Sequence, residues 1–599
     1  MNSIYIFFAI ALYILTYLFY ISVSHGLGHK AEHLQLRRFI PCVIIAVLPA
    51  ALTGLPLTNG LFLIPFLVGL SWIITYPLLY SLTYKKISSD FGFHLDMAFG
   101  LYIIGYCTAL KLLIIYSDII PNFLLIVVSA LEVILLLIPL LELNYYYLYH
   151  NCINENGMIL ILETDRLEAK EYFASLPKAL LTAFIIFVLL IFVWLAKADV
   201  KLFSLTLQFS TPTIIILSII SIFLTVYLWK PKKNLFKRTG IIELYLNVKD
   251  YFATYALYKK NQAERLKDLQ VTPTQPSFTK PSTIIMVIGE SASRDYMSAF
   301  VDMPENSTPW LKAQKASPNF LLFPGAYACA GSTVPALERA LTEFNQYDGN
   351  EFYTACSVVD IARAAGYKPY WFSNQGYLGD VDTPVTLVAK TCDKAAWTGE
   401  NLNKLFFDST LLDYFTEVDP TENNFIVFHL KGSHFNYINR YPQDRAHFSK
   451  PHKYDLVPNY LDSLAYTDYI LEQIHTYAKE HFNLQAMLYF SDHGEIPTSR
   501  RNPDSKDFPN LRIPMFTYFS DEYKKLFPAT FETLKAHQSR YFTNDLIYEL
   551  VCGILQIKSN HYKEENGFAS PQFKFTTEML KTYSGKRYIK DDILSQTPR

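Results

Sequence analysis

The chain has 599 residues, 51% of them hydrophobic and 18% charged, with a formal net charge of −1. That length exceeds what one compact core holds and predicts two or more domains. The balanced charge excludes a general nucleic-acid binder, which needs a basic surface, so no nucleic-acid partner is expected.

Apolar residues concentrate at the front of the chain. Seven apolar blocks run over 4–22, 39–57, 61–82, 97–116, 121–143, 179–195 and 214–229. Most approach the ~20 residues that a helix needs to cross hydrocarbon. Residues 1–230 are therefore read as a transmembrane helical domain of roughly five to seven spans in a lipid bilayer. The first block lacks a charged leader and a small-residue cleavage site, so it reads as a retained anchor. A polar-amphipathic loop at 148–178 separates the fifth and sixth blocks and has the spacing of a helix lying on the membrane surface.

After Trp229 a basic aromatic stretch from Lys230 to Lys267 suits an interfacial helix. Pro273, Pro276 and Pro281 then punctuate a Thr/Pro/Gln linker. Residues 231–282 are read as interfacial helix plus linker, and 283–585 as a soluble catalytic domain. Lys30, Arg37, Arg38, Lys85 and Lys86 lie in alternate loops, and Lys230, Lys232, Lys233, Lys237 and Arg238 follow the last block. With seven spans, the positive-inside rule puts those loops and the C-terminal half in the cytoplasm. The chemistry described next favours the opposite side.

From Thr283 onward short apolar runs alternate with helical segments. Strands are predicted at 283–290, 367–372, 425–430, 486–490 and 514–519, and helices at 357–365, 456–480 and 544–555. This alternation predicts an α/β fold, a parallel sheet covered by helices on both faces. Of seven cysteines, Cys152, Cys329, Cys356, Cys392 and Cys552 lie outside the membrane blocks, with no zinc-finger spacing. Disulfides such as Cys356 with Cys392, or buried free thiols, both remain open.

Two runs end in metal-ligand residues. Thr283-Ile-Ile-Met-Val-Ile-Gly-Glu290 ends in a carboxylate, and Ala486-Met-Leu-Tyr-Phe-Ser-Asp-His-Gly-Glu495 carries Asp492 and His493 just past its apolar core. Open α/β sheets bind ligands beyond the C-terminal ends of their strands. Two oxygens and an imidazole converging there suit a zinc ion with a free position. The run Cys329-Ala-Gly-Ser-Thr-Val-Pro-Ala-Leu-Glu-Arg-Ala-Leu-Thr342 places Ser332 and Thr333 at a predicted helix N-terminus. Thr333 there is either a cap or a nucleophile set against the positive end of the helix. His434, just past the 425–430 run, is placed to contact a phosphate oxygen, with a surface loop histidine as the plain alternative. His429, inside the run, reads as a core residue. Asn374 and Gln375 hold a similar strand-end position, from which they can donate to a substrate.

Gly289-Glu290, the Thr333 segment, Gly432-Ser-His434 with Asn439-Arg-Tyr-Pro442, and Ser491-Asp-His-Gly-Glu495 stand in the order that resembles the phosphoethanolamine transferases. These are inner-membrane enzymes of the alkaline phosphatase superfamily with a sulfatase-like domain. The resemblance implies zinc held by Glu290, Thr333, Asp492 and His493, with Thr333 as the nucleophile. It implies His434 on the phosphate or on a second zinc. It also implies phosphatidylethanolamine as donor, lipid A or core lipopolysaccharide as acceptor, and a catalytic domain in the periplasm. Ile161-Leu-Glu-Thr-Asp-Arg-Leu-Glu-Ala169 is similar to the family's periplasmic loop, which maps its headgroup-holding residues onto Thr164 and Glu168; the family's preceding Asn is Leu160 here. A second departure is that relatives carry a further His about a dozen residues past the Asp-His-Gly motif, and Glu495 to Asn510 contains none. Two other readings follow: a related membrane phosphotransferase or hydrolase using another donor such as a glycerol phosphate lipid, and a non-catalytic membrane sensor on a degenerate domain. The missing Cys-x-Pro-x-Arg signature around Cys329 argues against a formylglycine sulfatase.

Overall fold

The computed structural model describes residues 3–26, 33–83, 93–116, 123–149, 209–232, 234–273, 276–375, 383–398, 406–450, 455–498, 507–583 and 585–596, with a few positions between 152 and 162 and residue 453. The chain divides into two compact units, residues 1–161 with 176–249, and residues 162–175 with 250–599.

In the first unit, α1 (Ser3–Gly26), α2 (His33–Thr53), α3 (Gly60–Thr83), α4 (Phe93–Tyr116), α5 (Leu124–Tyr149) and α6 (Thr211–Trp229) follow the predicted blocks. Five of them are long and apolar enough to cross a membrane among the described residues. The remaining apolar stretch, Phe39–Thr53, is shorter. The predicted block 179–195 lies outside the described residues. Packing follows membrane rules. Gly69 on α3 and Gly100 on α4 leave no room for a Cβ, because each faces the other's carbonyl oxygen; small residues let two helix backbones touch. Lys111 and Glu132 form an ion pair of 2.8 Å with both side chains fully buried, the pairing that a charge inside a bundle requires. Asp96 accepts hydrogen bonds from the Gly240 amide at 3.0 and 3.2 Å. It thereby satisfies the first N–H of α7 (Gly240–Lys260).

The second unit holds a seven-stranded sheet. In chain order its members are β2 (Thr283–Gly289), β3 (Phe320–Leu322), β4 (Lys368–Ser373), β5 (Lys394–Trp397), β6 (Asn424–His429), β7 (Leu484–Ser491) and β8 (Met515–Phe519), after a short linker strand β1 (Val271–Pro273). Their spatial order is β3-β8-β7-β2-β6-β4-β5. The central strands are apolar throughout because both faces are covered. Ile284, Met286 and Ile288 of β2 enter one core with Trp371, Val427 and Leu488. Ile285 and Val287 enter the other with Phe372, Phe428 and Tyr489. That split is the period-2 alternation of a strand made visible.

One expectation is corrected. β2 pairs in parallel with both β6 and β7, but β8 runs antiparallel to β7 and to β3. The sheet is mixed. A parallel return needs a crossover of about a dozen residues, usually helical. Between β7 and β8 the described residues hold only the short 3-10 turn Phe508–Asn510, so the chain re-enters the sheet from the edge at which it left. The helix predicted at 456–480 is present as Leu456–His481. The one predicted at 544–555 begins with a 3-10 turn, Asn544–Leu546, before its α-helical part Ile547–Ile554. None of the seven cysteines is in a disulfide. Cys356 is thus not bridged to Cys392.

Candidate active site

The parallel strands deliver their C-terminal residues to one edge of the sheet. β2 ends at Gly289 and presents Glu290; its neighbour β7 ends at Ser491 and presents Asp492 and His493. Glu290, Asp492 and His493 are buried and offer ligand atoms all within 4.8 Å of one another. His493 Nε2 lies 3.6 Å from Glu290 Oε1 and 3.4 Å from Asp492 Oδ2. Its Nδ1 meets the Gly494 carbonyl at 2.7 Å. Nδ1 donates there, which fixes the tautomer and makes Nε2 the position that would ligate.

Thr333 opens the helix Thr333–Ala340, as expected. It is not used as a cap. Its Oγ1 donates to Glu290 Oε2 at 3.1 Å. Ser332 holds the N-cap position, yet its side chain makes no cap hydrogen bond. A half-buried hydroxyl thus sits against a buried carboxylate at the positive end of a helix.

Supporting residues lock this geometry. Asp492 Oδ1 accepts from the amides of Ser291 at 2.9 Å and His493 at 2.7 Å. Asp492 Oδ2 is buried and has no hydrogen-bond partner. Burial, and then the adjacent Glu290, push the Asp492 carboxyl well above the usual carboxylate range. An orphaned buried oxygen, a second carboxylate, an oriented imidazole and a hydroxyl are the donor set that a divalent cation such as zinc offsets and coordinates.

His434 belongs to the same edge. The Ser433 amide donates to the Glu290 carbonyl at 2.9 Å. Gly432 has φ +50, and any Cβ there would strike the Glu290 backbone; only glycine permits that approach. Ser463 of the 456–481 helix reaches Ser433 Oγ at 2.9 Å, and Tyr460 of the same helix accepts from the Ser293 amide and donates to the Ser291 carbonyl, both at 2.8 Å. One helix braces both loops.

Asn374 stands elsewhere in this scheme. It is buried, donates to Asp408 Oδ1 at 2.7 Å and accepts from Thr398 Oγ1 at 2.5 Å. Asp408 in turn accepts from the amides of Lys431 at 2.8 Å and Gly432 at 2.9 Å. Asn374 therefore acts through Asp408 on the His434 loop, and its amide is already committed where substrate contact was expected. Gln375 is likewise spent on the Leu430 carbonyl at 2.6 Å. His429 is buried at the end of β6, and burial holds its pKa down to about 4, so it is neutral. Thr164 and Glu168 lie outside the described residues.

Sequence reasoning missed Asn544. Its Nδ2 donates to the Asp492 carbonyl at 2.7 Å, and its Oδ1 accepts from the Cys329 amide at 2.8 Å. One side chain thus ties the Asp492 strand end to the segment leading to Thr333. An asparagine at the start of a predicted helix reads as a cap, which hid this role.

The sulfatase family matches residues 282–551, the stretch that contains Glu290, Thr333, His434, Asp492, His493 and Asn544. Residues 282–551 thus resemble a sulfatase domain. Outside that domain the likeness continues. Phosphoethanolamine transferase CptA of Salmonella typhimurium is 26% identical over 540 residues, 82% of this chain and 92% of that protein. Phosphoethanolamine transferase EptC of Escherichia coli O18:K1:H7 is 24% identical over 509 residues, covering 79% and 87%. The solved structure of the integral membrane protein lipooligosaccharide phosphoethanolamine transferase A from Neisseria meningitidis shares the fold. It has a TM-score of 0.56 over 84% of this chain and 97% of that one, at 18% identity. Apolar helices followed by an α/β domain are thus a shared fold.

Proposed function

We propose that this protein transfers phosphoethanolamine from phosphatidylethanolamine to a lipopolysaccharide acceptor, lipid A or a core sugar, through a covalent intermediate on Thr333. The observation that carries the reading is the Thr333 Oγ1–Glu290 Oε2 contact of 3.1 Å beside Asp492 and His493. The names of relatives that span most of the chain supply the substrate class.

In the first step Thr333 Oγ1 attacks phosphorus. The new O–P bond forms as the bond to the diacylglycerol oxygen breaks, and that oxygen leaves with the hydroxyl proton. In the second step an acceptor hydroxyl oxygen attacks the same phosphorus, the Thr333–phosphorus bond breaks, and Thr333 takes up the proton that the acceptor hydroxyl loses. Glu290 orients the hydroxyl through its hydrogen bond. The first-turn N–H groups of the Thr333 helix, which Ser332 leaves uncapped, face an anionic phosphate favourably. His434 is the candidate to contact a phosphate oxygen from the braced loop. Glu290, Thr333, Asp492 and His493 would hold zinc, which when bound lowers the hydroxyl pKa and draws charge from the phosphoryl group. Apolar helices long enough to span a membrane hold the domain near lipid donor and glycolipid acceptor, raising their effective concentration. This reading puts the protein in the inner membrane with its sulfatase-family domain in the periplasm, and Thr164 and Glu168 on the donor headgroup.

The test uses the full chain in vesicles of phosphatidylethanolamine or of phosphatidylglycerol, each with lipopolysaccharide, and mass spectrometry of the glycolipid. Phosphoethanolamine addition from the first vesicle alone is expected. Glycerol phosphate addition from the second favours the other-donor reading. Addition from neither, with folded protein, contradicts transfer.

A further inference from the structure

A second cluster of ligand-type side chains lies in the second compact unit, outside the site above. Glu343, Cys356 and His561 each offer one ligand atom, and these atoms lie within 4.8 Å of one another. The three come from three separate loops: after the Thr333 helix, before the helix Val358–Ala364, and after β9 (Ile557–Ser559). Glu343 Oε1 meets His561 Nδ1 at 2.9 Å and accepts the Cys356 amide at 2.9 Å. The Cys356 thiol is buried and within hydrogen-bonding range of His561. The Glu343 and His561 side chains are only 13% and 17% exposed, which leaves a narrow way in from solvent.

An independent observation points to a ligand. His561 Nε2 faces Asp268 Oδ2 at 3.3 Å. A carboxylate on the far nitrogen orients an imidazole, and the near nitrogen can ligate once it gives up the proton it shares with Glu343, the arrangement that supports metal-ligating histidines. The Asp268 side chain is 74% exposed, and its backbone is held in place. Its carbonyl accepts from Asn560 Nδ2 at 2.9 Å, and Asn560 Oδ1 accepts the Gln270 amide at 2.9 Å. β1 then pairs with β9 over Val271 to Pro273.

We propose that Glu343, Cys356 and His561 form a binding site for a thiophilic divalent transition metal such as zinc, separate from the Thr333 centre, with Asp268 as the outer partner of His561. One thiolate, one imidazole and one carboxylate are three ligands of a tetrahedral site, and water completes the fourth. Ligand atoms on such an ion stand roughly 3.3–3.8 Å apart, given bonds of 2.0–2.3 Å. The three ligand atoms, within 4.8 Å of one another, lie close to that spacing. The charges balance: a dication meets one thiolate and one carboxylate, and binding releases the thiol proton and any proton on His561 Nδ1. The site would fasten the segment that enters the domain, through Asp268 and β1, to the loops that follow the Thr333 helix.

Cobalt(II) separates the two sites, because only this one has a sulfur ligand. The full chain in detergent, stripped of metal and titrated with cobalt(II), is expected to show a thiolate-to-cobalt charge-transfer band in the near ultraviolet. Asp492→Asn should keep the band and Cys356→Ser should lose it. His561→Gln, which keeps the thiol, should weaken the cobalt titration by about tenfold or more, and Asp268→Asn by about tenfold. A wild-type protein without the band at saturating cobalt, a band that survives Cys356→Ser, or an unchanged titration in His561→Gln would each overturn the proposal. None of these readings depends on transfer activity.

Discussion

Two clusters in one domain pair carboxylates with a histidine, and they differ in what surrounds them. Glu290, Asp492 and His493 are all buried at the ends of adjacent central strands, and a hydroxyl points at them. Glu343, Cys356 and His561 come from loops and include a thiol, and the Ser559 hydroxyl beside them accepts from the His561 backbone amide at 3.1 Å and not from a ligand atom. The contrast teaches that ligand type alone does not make a reaction centre. A parallel strand edge fixes backbone position on both flanks, and it leaves an open side where a substrate can approach a nucleophile. Three loops tied together by a thiol and an imidazole instead make a fastening.

The comparison can be broken most forcefully at Thr333. Thr333→Ala should lower transfer by roughly 10³-fold or more, since it removes the attacking atom, while the thermal midpoint stays within a few degrees. Intact transfer in that variant, read by glycolipid mass spectrometry, would remove the nucleophile from this centre. Next comes His493→Ala. Without the imidazole the two buried carboxylates lose a ligand partner, so metal retained at this centre and turnover should fall together by roughly 10²-fold. Metal analysis alongside activity checks this, and Cys356→Ser should leave turnover far less affected.

A middle-sized effect belongs to Asp408→Ala. It leaves the buried amides of Lys431 and Gly432 without their acceptor, at a cost of about 1–3 kcal/mol each when such groups stay dry. Chemical denaturation should report the loss, and turnover should fall with it because the His434 loop is released. Asn374→Ala should show the same pattern more weakly, since Asp408 keeps its two amide donors. The smallest effect is expected at Lys394→Ala. Its 2.6 Å pair with Glu417 is half exposed, and such surface pairs contribute below about 1 kcal/mol.

The strand-end cluster was legible in the sequence for a physical reason. A strand buried on both faces reads as an unbroken apolar run, and a charged residue at its end stands out against it. β2 with Glu290 and β7 with Asp492 and His493 both carry that mark. Thr333 was legible as a hydroxyl at a helix start, but whether it caps or faces a metal centre depends on Glu290, 43 residues away. Asn374 misled because a strand-end amide looks the same whether it meets a substrate or braces Asp408, 34 positions on. The antiparallel β8 was hidden because direction is set by the connection, not by the apolar run itself. Glu343, Cys356 and His561 share no spacing rule; Glu343 and His561 are 218 residues apart, and only the folded chain joins them.

The central claim is that Thr333 carries the phosphoryl cargo. Full-length protein incubated with phosphatidylethanolamine and no acceptor, then digested, should yield the Thr333 peptide bearing one phosphoethanolamine group, and lipopolysaccharide added before digestion should discharge it. Turnover with that peptide never modified, or with the group on a different residue, would contradict the account.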